Sequence, residues 1–487
     1  MLGFVRQLMI ARQFGLSPEL DAFNAANNIP DLIFALISGG ALAVAFIPVL
    51  SEHLSKGGRG ALWDVFSRVA NLVFLVTAGL SITVALLADR LVGWRLGIAP
   101  GFTTDQQVLV VELMRLNLIA TLLFSLSGLT IAGLQANKHF FLPALAPSMY
   151  DIGALFGVVI LAPETGYQIG PLTLPALGMG IYGLVYGTIL GAALFFAVQI
   201  PGLVRYQFRW SPKINLKNPG VRQVLALMGP RVLTMFFIQI IFLVQDNIAS
   251  RLATGSVTAL VYGWLFMQVP ETLIGTAIAT VLLPMISEQI AQKREDAFRV
   301  TLHHTIRVLL ALTIPSAVLL SMVIRPVVGI LDFDNNGTNM VVWVTRMFLV
   351  GMVGHALLET ASRSFYAQQD ARTPLITAGG NTLLFILLAV LLGFRLGAPG
   401  IALANSLAYS SQALVLLLLL NRKHKGILNV SGTLLRVGLG SLAGALLVYA
   451  LLLLPLPALP LAVIALAAGG LLVLPFILPE IKLLINL

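Results

Sequence analysis

The sequence predicts an all-α integral membrane protein with about fourteen transmembrane helices, and three observations carry that expectation. Of its 487 residues, 58% are hydrophobic and only 10% are charged, where ordinary soluble domains carry roughly 25% charged residues. Mean hydropathy is +0.94. Apolar runs such as 72–87 and 440–454 lack the polar alternation of a membrane β-barrel strand. In lipid, such runs satisfy their own backbone groups only as helices. A water-soluble globule, a disordered chain and a disulfide-stapled secreted scaffold are excluded together.

Apolar runs bounded by charge and by Pro/Gly clusters place the spans near 1–16, 25–50, 65–88, 108–135, 142–162, 176–204, 222–252, 257–288, 302–330, 341–367, 374–394, 398–421, 434–454 and 459–480. The first holds about twelve membrane-compatible residues, where a span needs roughly 20. The expectation is that the natural first helix begins upstream of Met1, with further apolar turns and another arginine. Arg6 and Arg12 interrupt this segment, so it does not read as a cleavable signal.

Lys plus Arg is 30 against 20 Asp plus Glu, a net charge of +10. The excess reads as cytoplasmic loop charge rather than a nucleic-acid footprint. Lys56 and Arg59 follow span 2, Lys138 follows span 4, and Arg205, Arg209, Lys213, Lys217 and Arg222 follow span 6. Lys293, Arg294 and Arg299 follow span 8, Arg372 follows span 10, and Arg422, Lys423 and Lys425 follow span 12. The other side carries Arg90 and Arg95 beside Asp89, then single arginines at Arg251, Arg325 and Arg395. The positive-inside rule then puts every even-to-odd loop, and both termini, in the cytoplasm. The absence of cysteine excludes disulfides, thiolate metal sites and cysteine nucleophiles.

An internal repeat organises the chain. The segment IARQFGLSPELDAFNAANNIPD (10–31) is followed by GGALAVAFIPVLSE (39–52), and IASRLATGSVTALVYGWLFMQVPE (248–271) by GTAIATVLLPMISE (275–288). Gly39 to Pro48 and Gly275 to Pro284 share one spacing, and both copies run into Ser-Glu. LQANKHFFLPAL (134–145) is echoed by YAQQDARTPLIT (366–377), a polar turn with a proline early in the next helix. The expected organisation is an N-lobe over 1–210 (spans 1–6), a C-lobe over 220–425 (spans 7–12) and a C-terminal helix pair over 430–487. Two parallel, pseudo-symmetric halves point to a transporter with its path between them. Pro30 and Pro270 are expected to allow bends in spans 2 and 8.

Charged residues inside a membrane are costly and default to a functional hypothesis. Arg6 is the better substrate candidate on span 1, with Asn27 or Asn28 expected nearby; the alternative is that it snorkels to the cytoplasmic surface. Arg12 is as well explained by a pairing with Asp21 as by substrate contact. Asn27 and Asn28 open span 2 beside Pro30 and fit either substrate binding or capping and helix–helix hydrogen bonds. Asp246 on span 7 is a candidate cation or coupling carboxylate. Arg115 lies on span 4, and Arg231 near the start of span 7 reads as interfacial. Glu359 and Arg363, four apart, read as a salt bridge, and Asp370 and Arg372 as a structural turn.

No enzyme constellation stands out. His53, His139, His303, His304, His355 and His424 are scattered, and no phosphate-cradling Gly-Lys-Ser/Thr loop occurs. The chain is expected not to be an enzyme and to use no cofactor or metal. Energy would come from a coupling ion or the membrane potential.

Taken in order, LGFVRQLMIARQFG (2–15), LDAFNAANNIPDL (20–32), AFIPVLSE (45–52), LQANKHFFLPALAP (134–147), GSVTALVYG (255–263), GTAIATVLLPMIS (275–287) and SRSFYAQQDARTP (362–374) resemble the lipid II flippase family, MurJ, of the multidrug/oligosaccharidyl-lipid/polysaccharide exporter superfamily. The resemblance covers nearly all the chain. It implies transfer of an undecaprenyl-diphosphate-linked peptidoglycan precursor across the cytoplasmic membrane by alternating access, and so a role in cell-wall biogenesis and cell shape. The implied partners are the lipid-linked diphosphate and membrane lipids, with no nucleic acid and a monomeric protein. Arginine suits a diphosphate because its planar fork donates paired hydrogen bonds. Arg6 matches the first-span arginine of the GFVR motif. The family's span-2 arginines are replaced by Phe34 and Ala35, its span-8 Asp-Arg pair by Trp264 and Leu265, and its span-8 acid by Gln268. Its polar sodium-site positions on span 11 correspond to Phe385 and Ala389. These departures keep three alternatives in view: an exporter of another polyprenyl-linked glycan, an exporter of an amphiphilic drug, and a transport-inactive member.

Overall fold

In a computed structural model, residues 2–37 and 40–485 are described. Among the described residues the regular elements are helices apart from a short antiparallel hairpin, β1 (Gln168–Ile169) and β2 (Leu172–Thr173), in one connection. Twelve helices among the described residues are long and apolar enough to cross a membrane. One of them, Phe46–Gly93, is two spans folded at Gly58, whose φ of 68° leaves the helical region and suits a residue without a Cβ. Counting the two arms of that helix and the short first helix, the architecture agrees roughly with the expectation of about fourteen spans.

The chain divides into two compact units, Met1–Thr254 and Gly255–Leu487. The first contains α1 (Leu2–Phe14), α2 (Pro18–Ala26), α3 (Asn28–Ile37), α4 (Gly40–Gly93), α5 (Thr104–Ala136), α6 (Phe141–Phe156) extended by a π turn (Gly157–Leu161), α7 (Ile181–Ala197), α8 (Ile200–Arg205) and α9 (Pro219–Ala249). Gly39, which opens the first repeat copy, and the Arg231 side chain lie outside what is described. α5 is the hub, touching α2, α3, α4 and α7, and α9 packs on α3 and α4. The core at one end is aromatic. Trp63 meets Phe66 edge-on with centroids 5.3 Å apart, and its indole N–H donates to the Tyr206 carbonyl at 2.9 Å, so the ring is buried without stranding a donor.

Two glycine rows hold α6 against α7. A Cβ on Gly153 would lie 2.4 Å from Gly191 backbone atoms, and one on Gly187 would lie 2.6 Å from the Gly157 Cα. Between membrane helices small residues substitute for a hydrophobic driving force by letting backbones approach. Gly187→Ala is therefore expected to lower stability by about 1–3 kcal/mol, the usual cost of overpacking. Gly79→Ala, where a Cβ meets nothing within 4 Å, should be neutral or stabilising by up to about 1 kcal/mol. Thermal unfolding in detergent compares the two; equal shifts would remove the glycine contact from the stability argument.

The second unit contains α10 (Ser256–Glu271), a π turn (Thr272–Thr276), α11 (Ala277–Ala291), α12 (Glu295–Val328), α13 (Asn335–Ala367), α14 (Arg372–Leu396), α15 (Ala398–Lys423), α16 (Ser431–Leu452) and α17 (Ala458–Ile485). α13 packs on α10, α12 and α15, while the terminal pair α16–α17 docks on α12. Phe385 and Ala389 are fully buried in α14.

The repeat is visible as shared local structure. Pro48 lies inside α4 and Pro284 inside α11. The turns after α5 and α13 both place a non-glycine residue at φ 59°, Lys138 and Gln369. In both, the next N–H reaches back five residues, His139 to the Leu134 carbonyl at 2.9 Å and Asp370 to the Phe365 carbonyl at 3.0 Å, which is the Schellman closure of a helix end. The Asp370 carboxylate then caps α14, accepting from the Thr373 N–H at 3.0 Å and its hydroxyl at 2.7 Å. Those bonds hold its carboxyl below the usual carboxylate range. The bends expected near the prolines take the form of a helix break at Asn27, before Pro30, and of the π turn that follows Pro270.

Candidate functional site

Arg6 does not snorkel to a surface. Its Nη1 donates to Asp151 Oδ1 on α6 at 2.9 Å, and its guanidinium lies 4.9 Å from the centroid of the Tyr150 ring. Both side chains of the pair are largely buried, at 17% and 21% exposure. Removing a charge from water is tolerable when a counter-charge and a hydrogen bond come with it, so Asp151 explains why an arginine persists here. Only one guanidinium nitrogen is used in that bond. The others retain the planar, paired donor geometry that suits a phosphate.

Asn27 and Asn28 face different partners. Asn27 donates to the Phe23 carbonyl at 3.1 Å, and its Oδ1 accepts from Asn117 Nδ2 of α5 at 2.7 Å. Asn28 donates to Asp246 Oδ2 of α9 at 2.5 Å and to the Ala25 carbonyl at 3.4 Å. The structure thus brings together Asn28 and Asp246, which are 218 residues apart. Among the described residues no hydrogen bond joins Arg6 to either asparagine: the partner of Arg6 lies on α6, those of the asparagines on α2, α5 and α9.

Asp246 is 6% exposed and begins a polar stripe along the end of α9. Asn247 Nδ2 donates to the Gly97 carbonyl at 2.6 Å, Arg251 donates to the Arg95 carbonyl at 2.7 Å, and Ser250 Oγ accepts from the Gly101 N–H at 3.3 Å. The close approach at Gly101 is tight enough that a Cβ there would fall 2.5 Å from the Ser250 carbonyl oxygen. This stripe fastens α9 to α3 and to the segment before α5.

Arg12 stands exposed in the last turn of α1, and Asp21 is buried at the start of α2. Gln268 is exposed on α10 in the second unit. Trp264 and Leu265 occupy the same helix, and Trp264 packs edge-on against His355 and Phe348 of α13. Phe34 packs on Phe124 of α5 with centroids 5.7 Å apart. The Glu359–Arg363 salt bridge is present at 2.8 Å, and Arg115 pairs with Asp89 at 2.8 Å.

Sequence reasoning missed Asp151, Asn117, Glu271 and the Arg307–Glu480–Arg436 cluster. A signal existed for three of them: a lone acid inside an apolar run is costly enough to demand a reason. Asn117 carried no such signal.

The sequence profile of the family described as lipid II flippase MurJ matches residues 10–468. A lipid II flippase MurJ of Burkholderia cenocepacia is 30% identical over 458 residues, covering 92% of this chain and 85% of that one. A probable lipid II flippase MurJ of Rhizobium meliloti is 29% identical, covering 85% of this chain and 77% of that one. A solved structure of a lipid II flippase MurJ in an inward closed conformation superposes with a TM-score of 0.81 at 26% identity, covering 98% of this chain and 95% of that one. An inward-facing multidrug transporter of the MATE family superposes at 0.72 with 14% identity, covering 88% and 96%, a likeness of fold alone. The alternation of long apolar helices, the repeated motifs and these matches agree: the chain belongs to the lipid II flippase MurJ family.

Proposed function

We propose that this protein is a flippase that carries lipid II, the undecaprenyl-diphosphate-linked peptidoglycan precursor, across the bacterial cytoplasmic membrane by alternating access. The observation that carries this reading is the family match over residues 10–468. The loop charges support an orientation with both termini in the cytoplasm. The reading includes a monomeric transporter with no catalytic step, no cofactor and no nucleic-acid partner, driven by a coupling ion or by the membrane potential.

Within it, Arg6 is the diphosphate contact, with Asp151 holding the guanidinium when substrate is absent. Asn27 and Asn28 order the break between α2 and α3. The Asn28–Asp246 bond fastens α9 in this conformation, and its release accompanies the change of access; Asp246 would then exchange a cation as the bond opens. In this reading Arg12 and Gln268, each exposed on its own unit, are further candidate contacts for the polar head group.

Depletion of the protein in its native host is expected to stop the appearance of lipid II in the outer leaflet while lipid II accumulates inside. Unchanged outer-leaflet lipid II, with another lipid-linked glycan accumulating instead, would move the substrate assignment to that glycan.

A further inference from the structure

Glu271 is a carboxylate that the substrate reading leaves without a role. It ends α10, 15 residues after Ser256, which is about 22 Å along the helix axis. The apolar stretch around it, Ser256–Ala291, is 36 residues long, so the side chain lies deep within a membrane-spanning segment. It is 8% exposed. Its Oε2 accepts from the Thr276 hydroxyl at 3.4 Å, while Oε1 is buried with no hydrogen-bond partner among the described residues.

The space around that oxygen is built into the backbone. A Cβ on Gly275 would lie 2.5 Å from Glu271 Oε1 and 2.8 Å from the Ala356 Cβ. Ala356 is one turn before Glu359 on α13. The charged groups acting on Glu271 are Glu359 and Arg363, both of α13. Arg363 is already committed, through Nη2 to Glu359 at 2.8 Å and through Nη1 to the Thr280 hydroxyl at 2.8 Å. Among the described residues, Arg363 is the positive group that acts on Glu271. α11 offers the hydroxyl of Thr280. α12 presents Arg307 to Glu480 instead. His355 of α13 is engaged by Asn405 of α15 and stacked on Tyr409 of the same helix α15.

Two carboxylates and one guanidinium leave one negative charge over when all are ionised. An uncompensated buried carboxylate costs several kcal/mol, and neutralisation is the usual escape. A metal cation is a poor neutraliser here, because hard cations take about six or more oxygen ligands, the Thr276 hydroxyl meets only the other carboxylate oxygen, at 3.4 Å, and Oε1 has no hydrogen-bond partner among the described residues. A proton needs no such shell.

We propose that Glu271 is a proton-binding site in the interior of the second unit. In this conformation it holds a proton as the neutral carboxylic acid, and it releases that proton to water when Arg363 turns from Glu359 toward it. Glu359, at 39% exposure the more open member of its pair, is the relay between Glu271 and solvent. The step is one proton on, one proton off, with no other bond made or broken. Pro270 and the π turn at Thr272–Thr276 flank the carboxyl. Such interruptions of the helical ladder are places where a helix can re-aim, so the protonation state of Glu271 is coupled to the bend of this span. The site is independent of what the protein transports.

Infrared difference spectra of the purified protein in lipid nanodiscs test this directly. At neutral pH the wild type is expected to show a protonated-carboxyl C=O stretch that Glu271→Gln loses. Glu359→Gln releases Arg363 toward Glu271 and is expected to convert that band to carboxylate at the same pH. If Glu271→Gln does not fold, Gly275→Ala keeps the carboxyl, crowds Oε1 and is expected to move the band. A wild-type spectrum with no protonated carboxyl at neutral pH overturns the proposal, as does a band unmoved by Glu359→Gln and by Gly275→Ala.

Discussion

Replacing Arg6 by alanine is expected to weaken lipid II binding about ten- to a hundredfold and to abolish complementation of a strain depleted of its own flippase. A hydrogen bond to a charged group contributes about 1.5–3 kcal/mol, and each 1.4 kcal/mol is about tenfold in affinity. Arg6→Lys should rescue only in part, since an ammonium supplies the charge without the planar fork. Asp151 makes the test sharper. It occupies Arg6 at 2.9 Å, so Asp151→Asn frees the guanidinium and should tighten binding of the diphosphate while slowing its release. Removing Arg6 alone also leaves Asp151 buried without its counter-charge, a cost to folding that has nothing to do with substrate. The double variant Arg6→Ala/Asp151→Ala removes that cost. Restored stability with transport still absent assigns Arg6 to the substrate. Restored transport in the double variant would make the pair a structural bridge between α1 and α6.

Much of the fold is legible in the sequence because lipid leaves a backbone few choices. Apolar runs of span length become helices, and basic residues collect in the connections between them. Local pairings are legible for a similar reason. Glu359 and Arg363 stand four apart on one helix, so geometry alone brings them together. The polar centres are a different matter. Arg6 finds Asp151 across 145 residues, Asn27 finds Asn117 across 90, and Asn28 finds Asp246 across 218. No periodicity encodes such a meeting; it follows from which helices pack side by side. Glu271 shows a different gap. It lies inside a repeated motif, but what sets it apart, an Oε1 buried beside a glycine with no hydrogen-bond partner among the described residues, depends on how α10 and α13 pack.

The C-terminal helix pair carries the largest stability effect expected in the molecule. Glu480 of α17 is fully buried, and it accepts from Arg307 of α12 at 2.8 Å, from both-sided contact with Arg436 of α16, one of them at 2.6 Å, and from the Thr433 hydroxyl at 3.1 Å. One carboxylate therefore joins three helices and balances two arginines. Glu480→Ala takes the shared carboxylate from both guanidinium groups and leaves Arg307 only the Thr433 hydroxyl and Arg436 only the Phe476 carbonyl among the described residues. Breaking a buried ion pair from one side costs about 3–5 kcal/mol, a large share of the 5–15 kcal/mol typical of a folded domain. The expected result is a lower thermal unfolding midpoint in detergent and early proteolysis between α15 and α16. Glu480→Gln keeps the shape and one acceptor and should fall between wild type and alanine. Replacing all three ionic members together, Arg307→Met, Arg436→Met and Glu480→Leu, removes the charges along with the pairing, and an apolar cluster of similar volume is often neutral or stabilising. A triple variant as unstable as Glu480→Ala would mean that lost packing, not stranded charge, is what the alanine variant suffers.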